Sequence, residues 1–143
     1  MAWRISLFNI LTQFDLPTLL FLCASILYAG HGFLHQLIVG GAISVFQHPD
    51  ERQSRLILMI WIATGGFMSF LGLLPTTLLL LFGPEPAPVK AVLWTNFIAL
   101  SFLAFHSLIC GLKQLPKPLR VGFYFTLAFA VAHLAFLILH GKI

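Results

Sequence analysis

Charge is what this sequence has least of. Only 8% of its 143 residues are charged, and the acidic ones are Asp15, Asp50, Glu51 and Glu85 alone. Ordinary soluble domains are about a quarter charged, and a soluble fold of this size could not cover its surface with so few ionised groups. That excludes a soluble globular domain. The net charge of +4 is small and scattered, which argues against a nucleic-acid partner and leaves the basic residues as topology signals. Cysteine is scarce too. Cys23 and Cys110 fall in apolar runs at different expected depths, and a disulfide needs Cα atoms within about 7 Å, so both are expected as free thiols. No C-x-x-C-H run is present, which excludes covalently attached haem. Phosphate loops, serine-nucleophile motifs and G-x-G-x-x-G are missing as well, and no catalytic activity of the chain on its own is expected.

What is there is apolar. Hydrophobic residues make up 59% of the chain, and about 20 residues of helix cross the hydrocarbon core of a bilayer. The pattern gives an all-α integral membrane protein with one membrane domain, residues 1–143, and the bacterial inner (plasma) membrane as its expected location. Four transmembrane helices are expected at about 16–45, 56–82, 89–112 and 121–139. Asp15 is the candidate N-cap of the first, with Pro17 in its first turn. His48 to Arg55, Gly83 to Pro88 and Lys113 to Arg120 are the expected loops, the second too rich in proline for a helix. Loops this short force antiparallel neighbours, hence an up-down-up-down four-helix bundle. Trp3, Leu7, Ile10, Leu11 and Phe14 recur at helical spacing, so residues 1–14 suit a short interfacial helix rather than a signal peptide. Arg52, Arg55, Lys113, Lys117 and Arg120 lie around the first and third loops, against Arg4, Lys90 and Lys142 on the opposite side. The excess places those loops in the cytoplasm and both termini outside. In the second span, Gly65, Gly66, Ser69 and Gly72 are expected to meet another helix, within the bundle or in a partner. Pro75 is expected to kink it.

Four histidines lie within these apolar runs: His31, His35, His106 and His133. Ionisable groups in a membrane are costly and mark functional sites more often than not. His35-Gln-Leu-Ile-Val-Gly40 matches His106-Ser-Leu-Ile-Cys-Gly111, and at the same offset of 71 residues Pro17 falls on Pro88. One reading is a duplicated two-helix hairpin; the other is chance recurrence of residues common in membrane helices. Duplication would set the first and third helices diagonally across the bundle, with His35 and His106 at equal depth. Met68 falls opposite His133 only with a shortened offset. Expected faces are Ala24, Tyr28, His31, His35 and Ala42 on the first helix, and Trp61, Gly65, Met68 and Gly72 on the second. Thr95, Ala99, His106 and Cys110 form that of the third; Thr126, Ala130, His133 and Leu137 form that of the fourth.

Imidazole suits haem iron, copper, zinc or nickel. No Asp or Glu lies inside a span, so a carboxylate-bridged di-metal centre is excluded, and a bare divalent ion would leave its charge uncompensated in lipid. Haem spreads its charge over the porphyrin, and its propionates would reach the basic loops. Expected is haem b held by His35 and His106, with His31, Met68 and His133 as further cofactor-binding candidates. Any one of these histidines is also explained by packing, through a hydrogen bond to Ser25, Thr64, Ser69, Asn96, Ser101 or a carbonyl, His133 most readily of all. Histidines beside small-residue seams are similar, in architecture only, to membrane cytochrome b four-helix bundles. The expected function is electron transfer in a membrane complex. The alternatives are a non-catalytic accessory or assembly subunit and a small membrane enzyme or carrier using intramembrane histidine. Partners in each case are the lipid bilayer and other membrane subunits or further copies of the chain.

Overall fold

The computed structural model describes residues 14–38, 50–109 and 117–140. Among them the chain forms four helices: α1 (Leu16–Leu37), α2 (Glu51–Phe82), α3 (Ala87–Ile109) and α4 (Lys117–His140). Each is long and apolar enough to cross a membrane. The interfacial stretch 1–13, the end of the first expected span, Cys110, and the first loop up to Pro49 lie outside the described residues. Cys23 is a free thiol.

Local chemistry sets the ends. The Asp15 carboxylate accepts from the Thr18 backbone N–H at 3.1 Å, with Pro17 in the first turn. Asp50 and Gln53 form a reciprocal capping box, at 2.7 and 3.3 Å. That box starts α2 at Glu51 instead of near 56, because a charged first turn hydrogen-bonds as well as an apolar one. Gly83, at φ 72°, ends α2 and donates its N–H to the Leu79 carbonyl at 2.9 Å. The stretch Gly83 to Pro88 is not all loop, contrary to expectation. Ala87 and Pro88 already belong to α3, since proline in a first turn lacks no needed donor.

α1 packs on α2 and α4, and α3 packs on α2 and α4, with the α1–α2 contact the most extensive. Thr18 meets His140, Phe21 meets Phe136, Tyr28 meets Thr126 and His31 meets Phe125, so numbers fall along α4 as they rise along α1. Glycine makes the α1–α2 contact close. A Cβ on Gly72 would stand 2.6 Å from the Ala29 nitrogen, and one on Gly65 2.7 Å from the Gly32 carbonyl oxygen. Gly66 differs: nothing lies within 4 Å of its Cβ position, so it meets no helix among the described residues. It is one residue, about 100° of helix, off the contact line.

Polar ties close a ring around this packing. Ser69 donates to the Ala29 carbonyl at 3.1 Å, Asn96 to the Leu71 carbonyl at 2.9 Å, and His133 Nε2 reaches the Leu93 carbonyl at 3.0 Å. Tyr28 and Thr126 complete it at 3.0 Å between hydroxyls. Each joins a different pair of neighbouring helices. Such bonds are worth about 0.6 kcal/mol apiece where lipid surrounds the bundle.

Candidate functional site

Toward the α1 C-terminal end, all four helices line one cavity of about 210 Å³. α1 contributes His35, α2 contributes Ile60, Thr64 and Met68, α3 contributes Leu103, His106 and Ser107, and α4 contributes Gly122, Phe123 and Thr126. The structure therefore brings three of the five sequence candidates, His35, Met68 and His106, to one place. Leu103 and His106 also line a second hollow of about 580 Å³, with Phe67, Thr95, Ile98, Ala99 and Phe102.

Each candidate has its own setting. His35 is buried, with its ring flat on Trp61, 4.1 Å between centroids and 14° between planes. The Trp61 indole N–H donates to the His35 carbonyl, and the buried His35 Nδ1 has no hydrogen-bond partner. Met68 is buried on the same face of α2 as Trp61, Gly65 and Gly72. His106 lies on an exposed part of α3. The α3 core face is Val89, Leu93, Asn96, Leu100 and Ala104, so the expected face of Thr95, Ala99 and His106 is displaced from the core to the larger hollow. Val89, Leu93 and Leu100 on that face fill the core better than Thr, Ala and His do.

His31 stacks on Phe125, 4.3 Å between centroids. Its buried Nε2 has no hydrogen-bond partner and points toward the open Cβ position of Gly122, 3.9 Å away. Gly122 also lines the cavity, so His31 stands just behind its wall. His133 does not reach the cavity. It is fully buried with Phe21 and Phe129 against its ring, and is spent on the Leu93 carbonyl. None of the five hydroxyl and amide side chains expected as histidine partners takes that role. Ser25, Thr64 and Ser101 donate to carbonyls of their own helix, Ser69 and Asn96 to those of a neighbour.

The cavity wall is rich in electron-pair donors. Thr64 gives its proton to the Ile60 carbonyl at 2.8 Å, Ser107 to that of Leu103 at 3.0 Å, and Thr126 to that of Gly122 at 2.9 Å. With the Thr126 proton committed, Tyr28 donates to Thr126. Three hydroxyl-bearing residues whose protons are committed elsewhere thus line the cavity beside a thioether and two imidazoles. An electron-poor centre suits such a wall better than an anion. Among the described residues no group of three His, Cys, Asp or Glu side chains is placed to hold a metal ion.

Sequence spacing located the histidines but missed Trp61 as the neighbour of His35, and Gly122 and Thr126 as cavity residues. The i, i+4 step from Gly122 to Thr126 was the available signal, half of it already present in the Thr126, Ala130, His133 face. No family model, curated protein or solved structure matches the chain.

Proposed function

We propose that this chain is a haem b-binding membrane subunit for electron transfer, with His35 and His106 as axial ligands. The observation that carries it is the shared cavity: two imidazoles from helices that are not packing neighbours line one space. Haem asks the protein for two axial donors, and so is compatible with a site lacking three ionisable ligands. When bound, it supplies reversible one-electron transfer.

The inner cavity, at about 210 Å³, is smaller than the roughly 300–1,000 Å³ of typical cofactor pockets. Haem binding therefore requires this cavity to open, at Leu103 and His106, into the 580 Å³ hollow that shares those two residues. Met68 provides a thioether on the same wall. Arg52, Arg55 and Arg120 stand at the end of the helices nearer this cavity, where carboxylate groups of the macrocycle would meet cations. His31 would sit outside the coordination sphere. The same proposal places the four helices across a bacterial inner membrane, up-down-up-down, with both termini outside. The opposed numbering of α1 against α4 and the apolar outer surface support that arrangement.

The duplicated hairpin gains support from the helix starts. Leu16 and Ala87 open α1 and α3 at the repeat offset, with Pro17 and Pro88 each second in its helix. The second members differ, α2 having 32 residues and α4 having 24. The test is an absorption spectrum of the chain purified from haem-replete membranes. Sharp, low-spin bands on reduction are expected; a colourless protein that takes up no added haem would leave an accessory role within a larger membrane complex.

A further inference from the structure

At the opposite end of the bundle lies a cavity of about 280 Å³, lined by Pro84, Glu85, Ala87, Lys90, Leu93, Trp94, Phe136, Leu137 and His140. Two ion pairs flank it. Lys90 Nζ stands 3.4 Å from Glu85, and His140 Nε2 stands 3.1 Å from Asp15. In both pairs the nitrogen-bearing side chain is the more buried partner: 25% against 77% side-chain exposure, and 12% against 55%. Lys90 and His140 therefore belong to the cavity wall and the carboxylates to its rim. Below Lys90 the wall turns apolar, through Leu93, Phe136 and Leu137, while Trp94 is partly exposed at the edge.

That gradient fits an amphiphile and not a free anion. A lone phosphate would leave the apolar floor unfilled and would have to displace Glu85 from Lys90. At Lys90 and Glu85 a zwitterionic lipid displaces nothing without replacement, because it brings a cation for Glu85 along with an anion for Lys90, while His140 keeps Asp15 and the Phe136 carbonyl as its partners. We propose that this cavity binds an amino-phospholipid of the phosphatidylethanolamine type. Its phosphodiester meets Lys90, its primary ammonium meets Glu85, and one acyl chain runs along the exposed Trp94 at the edge of the floor made by Leu93, Phe136 and Leu137. Trp and Lys at one level are side chains that anchor at a membrane interface. The proposal rests on the chain spanning a membrane and is independent of haem.

The experiment is native mass spectrometry of the full chain after reconstitution in an equimolar mixture of phosphatidylethanolamine, phosphatidylcholine and phosphatidylglycerol. Several-fold enrichment of phosphatidylethanolamine is expected. Lys90→Gln should cut total retention, and Glu85→Gln should abolish the preference over phosphatidylcholine, which has no N–H to donate. Ala87→Trp, introduced from an exposed position, should fill the cavity mouth and remove the bound lipid while the thermal transition stays unchanged. Equal retention of the three lipids would overturn the proposal. So would enrichment of phosphatidylglycerol, which would show a simple cationic patch, or full retention in Ala87→Trp, which would put the lipid elsewhere. The readout is lipid mass, so a colourless protein leaves it unaffected.

Discussion

Asn96 donates its side-chain amide, at 2.9 Å, to the carbonyl of Leu71, the group that Pro75 leaves without a helical partner. In a regular helix the N–H of residue 75 would bond the carbonyl of residue 71. Proline has no N–H, yet α2 runs through Pro75 unbroken from Glu51 to Phe82. A neighbouring helix supplies the missing donor, which is how proline is tolerated inside apolar spans. Asn96→Leu should therefore destabilise the bundle by about 0.6–1.7 kcal/mol. In a Pro75→Ala background the loss should shrink, because the new N–H satisfies Leu71. A double-mutant cycle on thermal or denaturant unfolding measures the coupling. Strictly additive losses would show that the two residues act separately.

Gly72 and Gly66 separate a packed glycine from an open one. A Cβ at Gly72 would press on backbone atoms of Ser25 and Ala29 at 2.6 Å, and backbone cannot turn aside. Gly72→Ala should push α1 and α2 apart and lower stability by about 1–3 kcal/mol, the usual cost of overpacking. Gly66→Ala meets nothing and should be neutral or gain up to about 1 kcal/mol of helix propensity. Thermal melts in detergent would decide. A loss at Gly66 equal to that at Gly72 would point to a partner covering Gly66.

Much of this was legible in the sequence, and for a physical reason. Long uncharged runs leave few choices but apolar helices, and Asp15 with Pro17 marks a helix start by local chemistry, whereas the Asp50–Gln53 box was hidden in a charged stretch read as loop. The buried faces of α2 and α4 followed from their spacing too, whereas on α1 only Tyr28 and His35 of the expected face are buried, with Ala24 and His31 half-buried and Ala42 outside the described residues. α3 did not. Its residues are apolar nearly all round, so periodicity could not say which side packs, and His106 drew the expected face away from Leu93, Leu100 and Ala104. Asn96 was readable as a histidine partner, but its real acceptor depends on Pro75 being in the neighbouring helix. Contacts between helices are tertiary facts that spacing within one helix does not contain.

Asp15 joins the end of α1 to the end of α4. Hydrogen bonding from Thr18, and more weakly the charge on His140, holds its carboxyl below the ordinary value of 3.8. A carboxyl depressed on folding adds stability above its unfolded pKa, and that stability is lost as pH falls through the folded value. Melting temperature should thus drop as pH is lowered below about 4. Asp15→Asn, which retains a capping oxygen, should flatten that part of the profile, and Asp15→Ala should cost about 1 kcal/mol at neutral pH. An unchanged acid limb in Asp15→Asn would assign the loss to other carboxylates.

Orientation across the membrane has a direct test. Arg52, Arg55 and Arg120 lie at the end of the helices opposite Lys90, and cytoplasmic loops carry the basic excess. A reporter fused after Ile143 should be active in the periplasm and silent in the cytoplasm. The reverse pattern would invert the bundle and put the His35 cavity near the outer face.

The ligand assignment gives the sharpest set of variants. His35 and His106 share a cavity with Met68, whereas His31 stands behind Gly122 and His133 is bonded to Leu93. His35→Ala and His106→Ala should each abolish the low-spin bands or convert the iron to a high-spin form. Met68→Leu should leave them, since the thioether is a bystander when two imidazoles bind. His133→Ala should lower the melting temperature without moving the spectrum, because it frees only a carbonyl. Trp61→Phe should keep the bands but lower haem affinity several-fold, as the loss of the indole stack and its N–H donor loosens His35. Loss of the bands in Met68→Leu with retention in His106→Ala would make the pair His35 and Met68. Loss in His31→Ala with His35→Ala silent would move the ligand one turn along α1 and remove the significance of the repeat.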